Sequence, residues 1–333
     1  MPIIDFEAHY CTGALLESME NRTAYPVYTR DPWEIKYTGD NTFKLNTILV
    51  CDSDRDIDER LREMDESGVD MQVISLCGGL EELPVEEQAG LATRINDRAA
   101  RICGKHPDRF KAWATLPVLD TDAAITELER CVKEHGFFGW NTFANYGENG
   151  YPDEQRFIPI FEKCSKLGVP VYMHPAEPHD IRYLGYGKLL CANALGGGQQ
   201  TVLALMRMIV SGLFKIQPDL QIMLGHLGEG LPFILERIDA VGDKDPEQMD
   251  YIPKTPGMYF RENIIMTTSG QYSAGAFMCT KMVCGLDRVV FGSDYPMERS
   301  LKRTVNFINS LDSFTEEEKA GIFSGNARRL FGC

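Results

Sequence analysis

Short runs of β-branched and apolar residues alternate along this chain with longer segments of helical periodicity. In one such segment, Ala92, Ile95, Ala99 and Ile102 recur at a spacing that places them on one helix face. Eight strand-then-helix units in succession predict a closed (β/α)8 barrel of the TIM type, although a doubly wound open sheet has the same local pattern. The predicted strands are Ile3–His9, Val69–Leu76, Lys111–Leu116, Phe137–Thr142, Val169–His174, Leu220–His226, Ile264–Thr268 and Arg288–Asp294.

Two of the segments that follow strands are longer than the others. Residues 10–56 separate the first strand from its helix, and residues 175–198 follow the fifth strand. Segments that directly follow barrel strands lie on the carboxyl-terminal face, where catalytic sites form. We therefore predict a single domain over residues 1–333, with both insertions forming lids or pocket walls, or contacts between subunits. Aromatic candidates for the walls of a pocket for a flat ligand are Trp33, Trp140, Phe143 and Tyr183, and the role of His179 stays open.

Charge and composition exclude several kinds of partner. The 333 residues include 49 acidic and 34 basic side chains, and the net charge of −15 disfavours binding to nucleic acid or to an anionic membrane surface. No apolar run approaches the roughly 18 residues of a membrane helix, and the first residues lack the basic and apolar parts of a signal peptide. The ten cysteines are scattered without a C-x-x-C pair, which is typical of reduced thiols and predicts a cytoplasmic protein.

Two further observations narrow the function. The acidic segment from Asp52 to Glu66 opens a predicted helix, so its charges are expected on a solvated outer face. The sequence has no G-x-x-x-x-G-K-[ST], G-x-S-x-G or helix-opening G-x-G-x-x-G motif. Nucleotide binding and serine-nucleophile chemistry are therefore disfavoured.

Polar side chains stand at the ends of several predicted strands. Glu7 and His9 are two residues apart on the first strand, so their side chains point to the same side. His174 ends the fifth strand and Asp294 ends the eighth. Buried carboxylates and imidazoles need partners, and one divalent cation satisfies two of each while leaving positions for substrate or water. The sequence therefore predicts a metal centre formed by these four residues.

His226 ends the sixth predicted strand, and Glu229 follows three residues later in the segment HLGEGLPF. In one interpretation, Glu229 accepts hydrogen bonds from free backbone N–H groups where a helix begins. In the other, Glu229 holds His226 in one tautomer and raises its basicity, so that the two act as an acid/base or substrate-orienting pair. We favour the second interpretation.

Five segments occur in order over nearly the whole length: IDFEAHY, GFFGW, LGVPVYMHP, GHLGEGLPFILERID and RVVFGSDYP. In them the chain resembles the amidohydrolase superfamily, and within it the aminocarboxymuconate semialdehyde decarboxylase and hydroxybenzoate (resorcylate-type) decarboxylase branch. Many amidohydrolases have H-x-H on the first strand, whereas Glu7-Ala8-His9 is similar to the decarboxylase branch. The segment FFGWNTF contains no lysine that could be carbamylated and bridge a second ion, so a single metal ion is expected.

The resemblance implies a (β/α)8 barrel with one divalent metal ion, Zn2+ or Mn2+, bound by Glu7, His9, His174 and Asp294. It also implies that His226 and Glu229 lie beside the substrate, that Arg237 binds a substrate carboxylate, and that the protein is a homodimer or homotetramer. The predicted helix places Arg237 about two turns beyond the strand end, so a surface ion pair is its alternative role.

The reaction implied is the non-oxidative decarboxylation of a hydroxylated aromatic carboxylic acid. Asp294 would protonate the ring carbon, and CO2 would be released. One alternative is a metal-dependent hydrolase or hydratase acting on a small carboxylate, with Asp294 as the base. Another is a metal-binding barrel without catalytic activity. The ring substituents of the substrate are not predicted.

Overall fold

The computed structural model describes residues 2–36, 42–45, 49–50, 53–147, 150–178, 180–183, 185–191, 195–242, 247, 251–297 and 300–332. The side chains of Phe43, Asp54 and Ile181 are not described. His179, whose role the sequence left open, lies outside the described residues.

All eight predicted strands are present. The last of them is the shortest and has two residues. The strands are β1 (Ile4–Tyr10), β2 (Val27–Thr29), β3 (Glu34–Lys36), β4 (Thr42–Lys44), β5 (Met71–Leu76), β6 (Phe110–Thr115), β7 (Gly139–Phe143), β8 (Val171–His174), β9 (Ile222–Leu224), β10 (Ile264–Thr267) and β11 (Val289–Val290).

Helices follow the barrel strands, as the periodicity predicts. The helices are α1 (Gly13–Met19), α2 (Asp54–Ser67), α3 (Val85–Lys105), α4 (Thr121–His135), α5 (Ile158–Leu167), α6 (Lys188–Cys191), α7 (Gly196–Val210), α8 (Leu213–Ile216), α9 (Leu231–Gly242), α10 (Pro256–Asn263), α11 (Ala274–Cys284), α12 (Leu301–Asn309), α13 (Glu316–Ala320) and α14 (Asn326–Phe331). A 3-10 turn covers Ile181–Tyr183 and a π-helical turn covers Gly321–Gly325. Among the described residues, none of the helices is both long and apolar enough to cross a membrane.

Eight parallel strands form one sheet in the order β1-β5-β6-β7-β8-β9-β10-β11. The two outer strands meet, because the Phe6 N–H donates to the Phe291 carbonyl oxygen at 2.9 Å and the Asp294 N–H donates to the Glu7 carbonyl oxygen at 2.9 Å. This closure confirms the predicted barrel. A doubly wound sheet, in which the strand order reverses, is excluded.

Two layers of apolar side chains stabilise the barrel. Inside it, Phe6, Trp113 and Tyr172 belong to a buried cluster near the amino-terminal ends of the strands. Outside it, helix faces pack on the strands, and the predicted stripe on α3 is buried. Trp140 is wrongly predicted as a pocket wall, because its ring packs against Phe161 of α5 at a centroid distance of 5.0 Å.

One local feature differs from the sequence interpretation. Arg60 of α2 is only 1% exposed, although the acidic segment around it was expected to be solvated. Gly196–Gly198 form the first turn of α7 and are buried. The segment between β1 and α2 contains α1 and a small antiparallel sheet of β2, β3 and β4.

Candidate metal centre and active site

Glu7, His9, His174 and Asp294 converge where the carboxyl ends of the first, fifth and eighth barrel strands meet. One ligand atom from each lies within 4.8 Å of the others. Glu7 and His9 are completely buried, and Asp294 is 7% exposed. Nitrogen and oxygen donors at this spacing are typical of a site for one divalent transition-metal ion.

A break in the strand pairing helps β1 to supply two ligands. The register between β1 and β5 shifts between Asp5 and Ala8, as expected for a β-bulge. Phe6 belongs to the apolar cluster inside the barrel, and the adjacent Glu7 contacts Thr267 of β10 across the interior. The bulge therefore allows consecutive side chains to enter the barrel, one apolar and one charged.

A hydrogen bond fixes the tautomer of His174, and two contacts orient the ring of His9. His174 Nδ1 lies 2.7 Å from the Pro175 carbonyl oxygen, which can only accept, so Nδ1 carries the proton and Nε2 is free for a metal. His9 Nδ1 lies 3.0 Å from Ser75 Oγ. His9 Nε2 lies 3.1 Å from Asp294 Oδ1, so it faces the other ligands. Such outer hydrogen bonds orient imidazoles for metal binding.

Glu7 provides the clearest test of whether these residues suit a metal ion. Thr267 Oγ1 donates a hydrogen bond to Glu7 Oε2, whereas Glu7 Oε1 is buried and accepts no hydrogen bond from the described residues. A Cβ atom on Gly225 would lie 2.9 Å from Oε1, so glycine at this position lets the backbone approach this carboxylate closely. A buried carboxylate oxygen without a partner is costly unless a cation binds it, so the residues fit a divalent ion.

The protonation states of two ligands also suit a cation. Burial, together with the neighbouring His9, lowers the pKa of His174 to about 3, so this imidazole is neutral. Burial acts to raise the pKa of Asp294, but the hydrogen bond from His9 and the nearby imidazoles outweigh it and hold this pKa below its ordinary value. A neutral imidazole and an ionised carboxylate are the forms that bind metals.

His226 and Glu229 lie beside this cluster. His226 Nε2 is 3.7 Å from Glu229 Oε1 and 3.9 Å from Glu7 Oε1. The His226 ring is oriented from its other side, because Nδ1–H donates to the Ser269 carbonyl oxygen at 3.0 Å. The structure therefore places Glu229 next to the imidazole, as the acid/base interpretation requires.

The backbone around this pair is strained. His226 and Glu229 have φ angles of 54° and 55°, and Asp294 has a φ angle of 59°. Residues other than glycine rarely adopt this left-handed backbone conformation, and those that do cluster at functional sites. Gly198 of α7 approaches the pair closely, since a Cβ there would lie 2.7 Å from Glu229 Oε2.

The pair is a coupled acid and base. Burial disfavours the imidazolium, but the carboxylates of Glu229, Glu7 and Asp294 outweigh it and raise the pKa of His226 to about 9. Burial also raises the pKa of Glu229, to about 7, against the lowering effect of His226. One proton shared by two adjacent groups can be given to a substrate oxygen or taken from it.

Comparisons with known proteins agree with this geometry. The sequence profile of the amidohydrolase family matches residues 4–333. The chain belongs to the amidohydrolase family. It is 36% identical to a gamma-resorcylate decarboxylase from a Rhizobium species over 82% of this chain and 86% of that protein. It is also 30% identical to the 2-amino-3-carboxymuconate-6-semialdehyde decarboxylase of Dictyostelium discoideum, over 83% of this chain and 77% of that one.

A solved structure of a dihydroxybenzoic acid decarboxylase from Polaromonas sp. JS666 is similar throughout. It has a TM-score of 0.82 and 32% sequence identity, and the match covers 99% of this chain and 97% of that one. That protein contains bound manganese and the inhibitor 2-nitroresorcinol. The comparisons confirm the expected family, the decarboxylase class and a divalent metal cofactor.

Arg237, which the resemblance places at a substrate carboxylate, does not lie beside the four clustered residues in this chain. It is exposed on α9, two turns beyond Glu229. Phe233 on the same helix is 82% exposed. The side chain of Arg237 therefore faces away from the packed interior of the barrel.

The sequence interpretation missed the residues that orient the ligands. Ser75 at the end of β5 contacts His9, while Thr267 and Ser269, at and beyond the end of β10, contact Glu7 and His226. A signal was present, since each is a polar residue at the carboxyl end of an apolar strand. Phe143, one of the expected pocket walls, packs beside the His174 ring with centroids 5.3 Å apart.

Proposed function

We propose that this amidohydrolase decarboxylates a hydroxylated aromatic carboxylic acid without an oxidant, using one Mn2+ or Zn2+ ion held by Glu7, His9, His174 and Asp294. The observation that carries the proposal is the cluster of four ligand atoms within 4.8 Å. A bound divalent ion supplies Lewis acidity, which favours negative charge on the phenolic and carboxylate oxygens of such a substrate.

Asp294 is the proposed proton carrier. Its ionised carboxylate takes the proton of the ortho hydroxyl group, and then gives it to the ring carbon that carries the substrate carboxylate. A C–H bond forms at that carbon, the C–C bond to the carboxylate breaks, and CO2 leaves while the bonding electrons return to the ring. Water then protonates the phenolate, so one carboxylate and one proton give one arene and one CO2.

His226 and Glu229 are proposed to hold the phenolic oxygen. The imidazole offers its Nε2 atom toward the ligand cluster, because Nδ1 is already bonded to Ser269. Glu229 lies 3.7 Å from Nε2 and stabilises the protonated imidazole. An imidazolium at this place donates a hydrogen bond to the phenolate oxygen. That hydrogen bond weakens when water protonates the oxygen.

We also propose a homodimer or homotetramer that buries the outer face of α9. Phe233 and Val241, eight residues apart on this helix, are 82% and 62% exposed, so an apolar face of α9 is open to contact another chain. Arg237 projects from the same face, so its proposed role with a substrate carboxylate belongs to such an assembly. The single domain, the insertions at residues 10–56 and 175–198 as walls of the pocket, and a cytoplasmic location complete the proposal.

The decisive experiment compares Asp294→Asn with the unsubstituted enzyme after metal analysis of both samples. We expect CO2 release from a panel of hydroxybenzoates to fall by at least about 10³-fold in the variant, because the amide carries no transferable proton. Exposed Asp312 provides the matched control, and Asp312→Asn should keep full activity. Full activity in metal-loaded Asp294→Asn removes this residue from proton transfer. Turnover of esters or hydration substrates without CO2 release would instead support the hydrolase or hydratase alternative.

A further inference from the structure

Asp294 is flanked by two residues that are both tied to other parts of the fold. The Ser293 N–H donates to Asp5 Oδ1 at 2.9 Å, and the Ser293 hydroxyl donates to Asp5 Oδ2 at 2.6 Å. On the other side, the Tyr295 hydroxyl donates to Glu63 Oε2 of α2 at 2.8 Å. A residue with a φ of 59° is thus fixed on both sides. Strained backbone of this kind persists only where the surroundings over-determine it.

The two attachments belong to one buried network that also reaches His9. Gln72 Nε2 donates to Asp5 Oδ2 at 2.9 Å, and Arg60 Nε donates to Gln72 Oε1 at 2.7 Å. Arg60 Nη1 donates to the His9 carbonyl oxygen at 2.7 Å. The Arg60 guanidinium carbon also lies 5.0 Å from the centroid of the Tyr295 ring. We name Asp5, Arg60, Gln72, Ser293 and Tyr295 the brace.

The brace is expensive to bury. Asp5 and Gln72 have no exposed surface and Arg60 is 1% exposed. Moving a guanidinium and a carboxylate out of water is unfavourable, and well-packed apolar side chains at such places are often as stable or more so. Apolar side chains occupy neighbouring buried positions of the same helix, since Ile57 and Met64 of α2 are buried. Stability alone therefore does not account for these charged groups.

The atoms that the brace holds provide the other account. It binds the backbone of His9 on β1 and the residues on both sides of Asp294 after β11. These are the first and last barrel strands, which are paired mainly by a few hydrogen bonds near the site. His9 Nε2 and Asp294 Oδ1 lie 3.1 Å apart across that seam, so a small shift of one strand would separate them.

We propose that the brace positions His9 and Asp294 relative to each other and thereby sets the affinity and geometry of the metal site. This inference rests on the proposed function insofar as both residues are taken as metal ligands. The brace residues touch neither metal nor substrate and act as positioning residues. Groups of this kind change metal affinity by roughly 10- to 100-fold when removed.

Asp5→Asn is the sharpest test, because it keeps the shape of the side chain. The Asp5 oxygens accept hydrogen bonds from Ser293 N–H, Ser293 hydroxyl and Gln72 Nε2, and Oδ1 also accepts one from the Glu7 N–H at 3.3 Å. An asparagine nitrogen cannot accept, so one donor would face another. We expect Mn2+ binding, measured by calorimetry on the full chain, to weaken by roughly 10- to 100-fold. The Mn2+ electron paramagnetic resonance spectrum should show a changed zero-field splitting.

Tyr295→Phe is the milder second variant, and it also serves if Asp5→Asn does not fold. It removes the hydroxyl that donates to Glu63 but keeps the ring beneath Arg60. We expect Mn2+ binding about three- to tenfold weaker, with the folded protein retained.

Asn96 provides a matched control from a buried network that holds a strand without ligands. Its side chain has no exposed surface. Asn96 Nδ2 donates to the Thr115 carbonyl oxygen of β6 at 2.8 Å, and the Thr115 N–H donates back to Asn96 Oδ1 at 2.9 Å. Asn96→Ala should lower the melting temperature without changing Mn2+ affinity, since it breaks hydrogen bonds of the same kind elsewhere in the barrel.

The results separate positioning from mere stability. A loss of Mn2+ affinity of about threefold or more in a brace variant, absent from Asn96→Ala, supports the inference. A smaller loss in every folded brace variant overturns it, as does an equal loss in the control. Failure of the proposed function is distinguishable, because it appears as an unsubstituted protein that binds no Mn2+ or as an active Asp294→Asn.

Discussion

The two halves of the barrel interior differ in what holds them together. The half near the amino-terminal strand ends is a continuous apolar cluster that includes Phe6 and Trp113. The half near the carboxyl ends contains Glu7, His9 and Asp294 within one small volume. Phe6 and Glu7 are adjacent residues in the bulge of β1, and the barrel interior changes from apolar to charged side chains between them.

The two halves contribute to the free energy of unfolding with opposite signs. Burying apolar surface stabilises the fold by about 25 cal/mol per Å2. Burying carboxylates opposes folding unless a cation or a hydrogen bond compensates each charge. Within the part of the chain that the structure describes, Glu7 Oε1 and Glu229 Oε1 are both buried without hydrogen-bond partners. The apolar half therefore has to stabilise a barrel whose other end is assembled for binding.

The largest stability effect is expected in the apolar half. Trp113 is completely buried, and its Nε1–H donates to the Phe6 carbonyl oxygen at 3.2 Å. Trp113→Ala should reduce the free energy of unfolding by about 3–5 kcal/mol, because it leaves a large cavity. Chemical denaturation measures this loss, and Mn2+ affinity of the folded fraction should stay within a factor of about three. A large drop in Mn2+ affinity would show that the two halves are not independent.

The opposite pattern is expected for Glu7→Gln in the polar half. Glutamine fills the same space and its oxygen can accept the hydrogen bond from Thr267, but the negative charge is lost. Mn2+ affinity should fall by about 100-fold or more, which is about 2.7 kcal/mol, because a charged ligand becomes neutral. The metal-free protein should be at least as stable as the unsubstituted one, since a buried charge has been removed.

Calorimetric titration with Mn2+ and denaturation in the presence of a chelator check the two parts of this prediction. Gln88→Glu introduces a charge at another completely buried site and should destabilise the protein without affecting Mn2+ binding. If metal-free Glu7→Gln were clearly less stable than the parent, Glu7 would stabilise the barrel, and the division of roles between the halves would be wrong.

Much of the barrel and the ligand set followed from the sequence because the relevant patterns are local. Strand alternation and polar residues at strand ends are visible within a few residues, and they predicted Glu7, His9, His174 and Asp294. The same alternation would also have placed Trp140 on the outer side, since Phe143, three residues away along β7, faces His174. The alternation along β7 therefore already predicts the outward position of Trp140.

Arg60 could not be placed in the same way. It lies among charged residues on a helix predicted to be solvated, and its hydrogen-bond partners are 12 and 51 residues away in sequence. The left-handed backbone of Asp294 likewise depends on residues from other strands and from α2. Long-range contacts such as these leave no local periodicity, so the positioning of the cluster was not predictable, although the four residues that converge there were.

A smaller effect is expected for a buried acid at the polar end that is not a proposed ligand. Glu81 follows β5 and is 7% exposed, and a Cβ on Gly79 would contact both its carboxyl group and the Phe143 ring. Burial, with a small contribution from Glu82, raises the pKa of Glu81 from 4.5 to about 8. The folded protein thus binds this proton more tightly than the unfolded chain does.

The sign of the pH dependence follows from that difference. The stability that protonated Glu81 contributes is fully present below pH 4.5 and is lost as the pH rises through about 8. Glu81→Gln stays neutral at every pH, so it should match the parent near pH 4.5 and become progressively more stable than the parent as the pH rises to 8. Denaturation at several pH values gives the comparison, with exposed Glu86→Gln as a control that shows no such trend. A stability difference that does not grow with pH would mean that Glu81 is ionised in the folded protein and that its charge is compensated there. Burying this acid would then oppose folding less than we expect, and the apolar half would have less to offset.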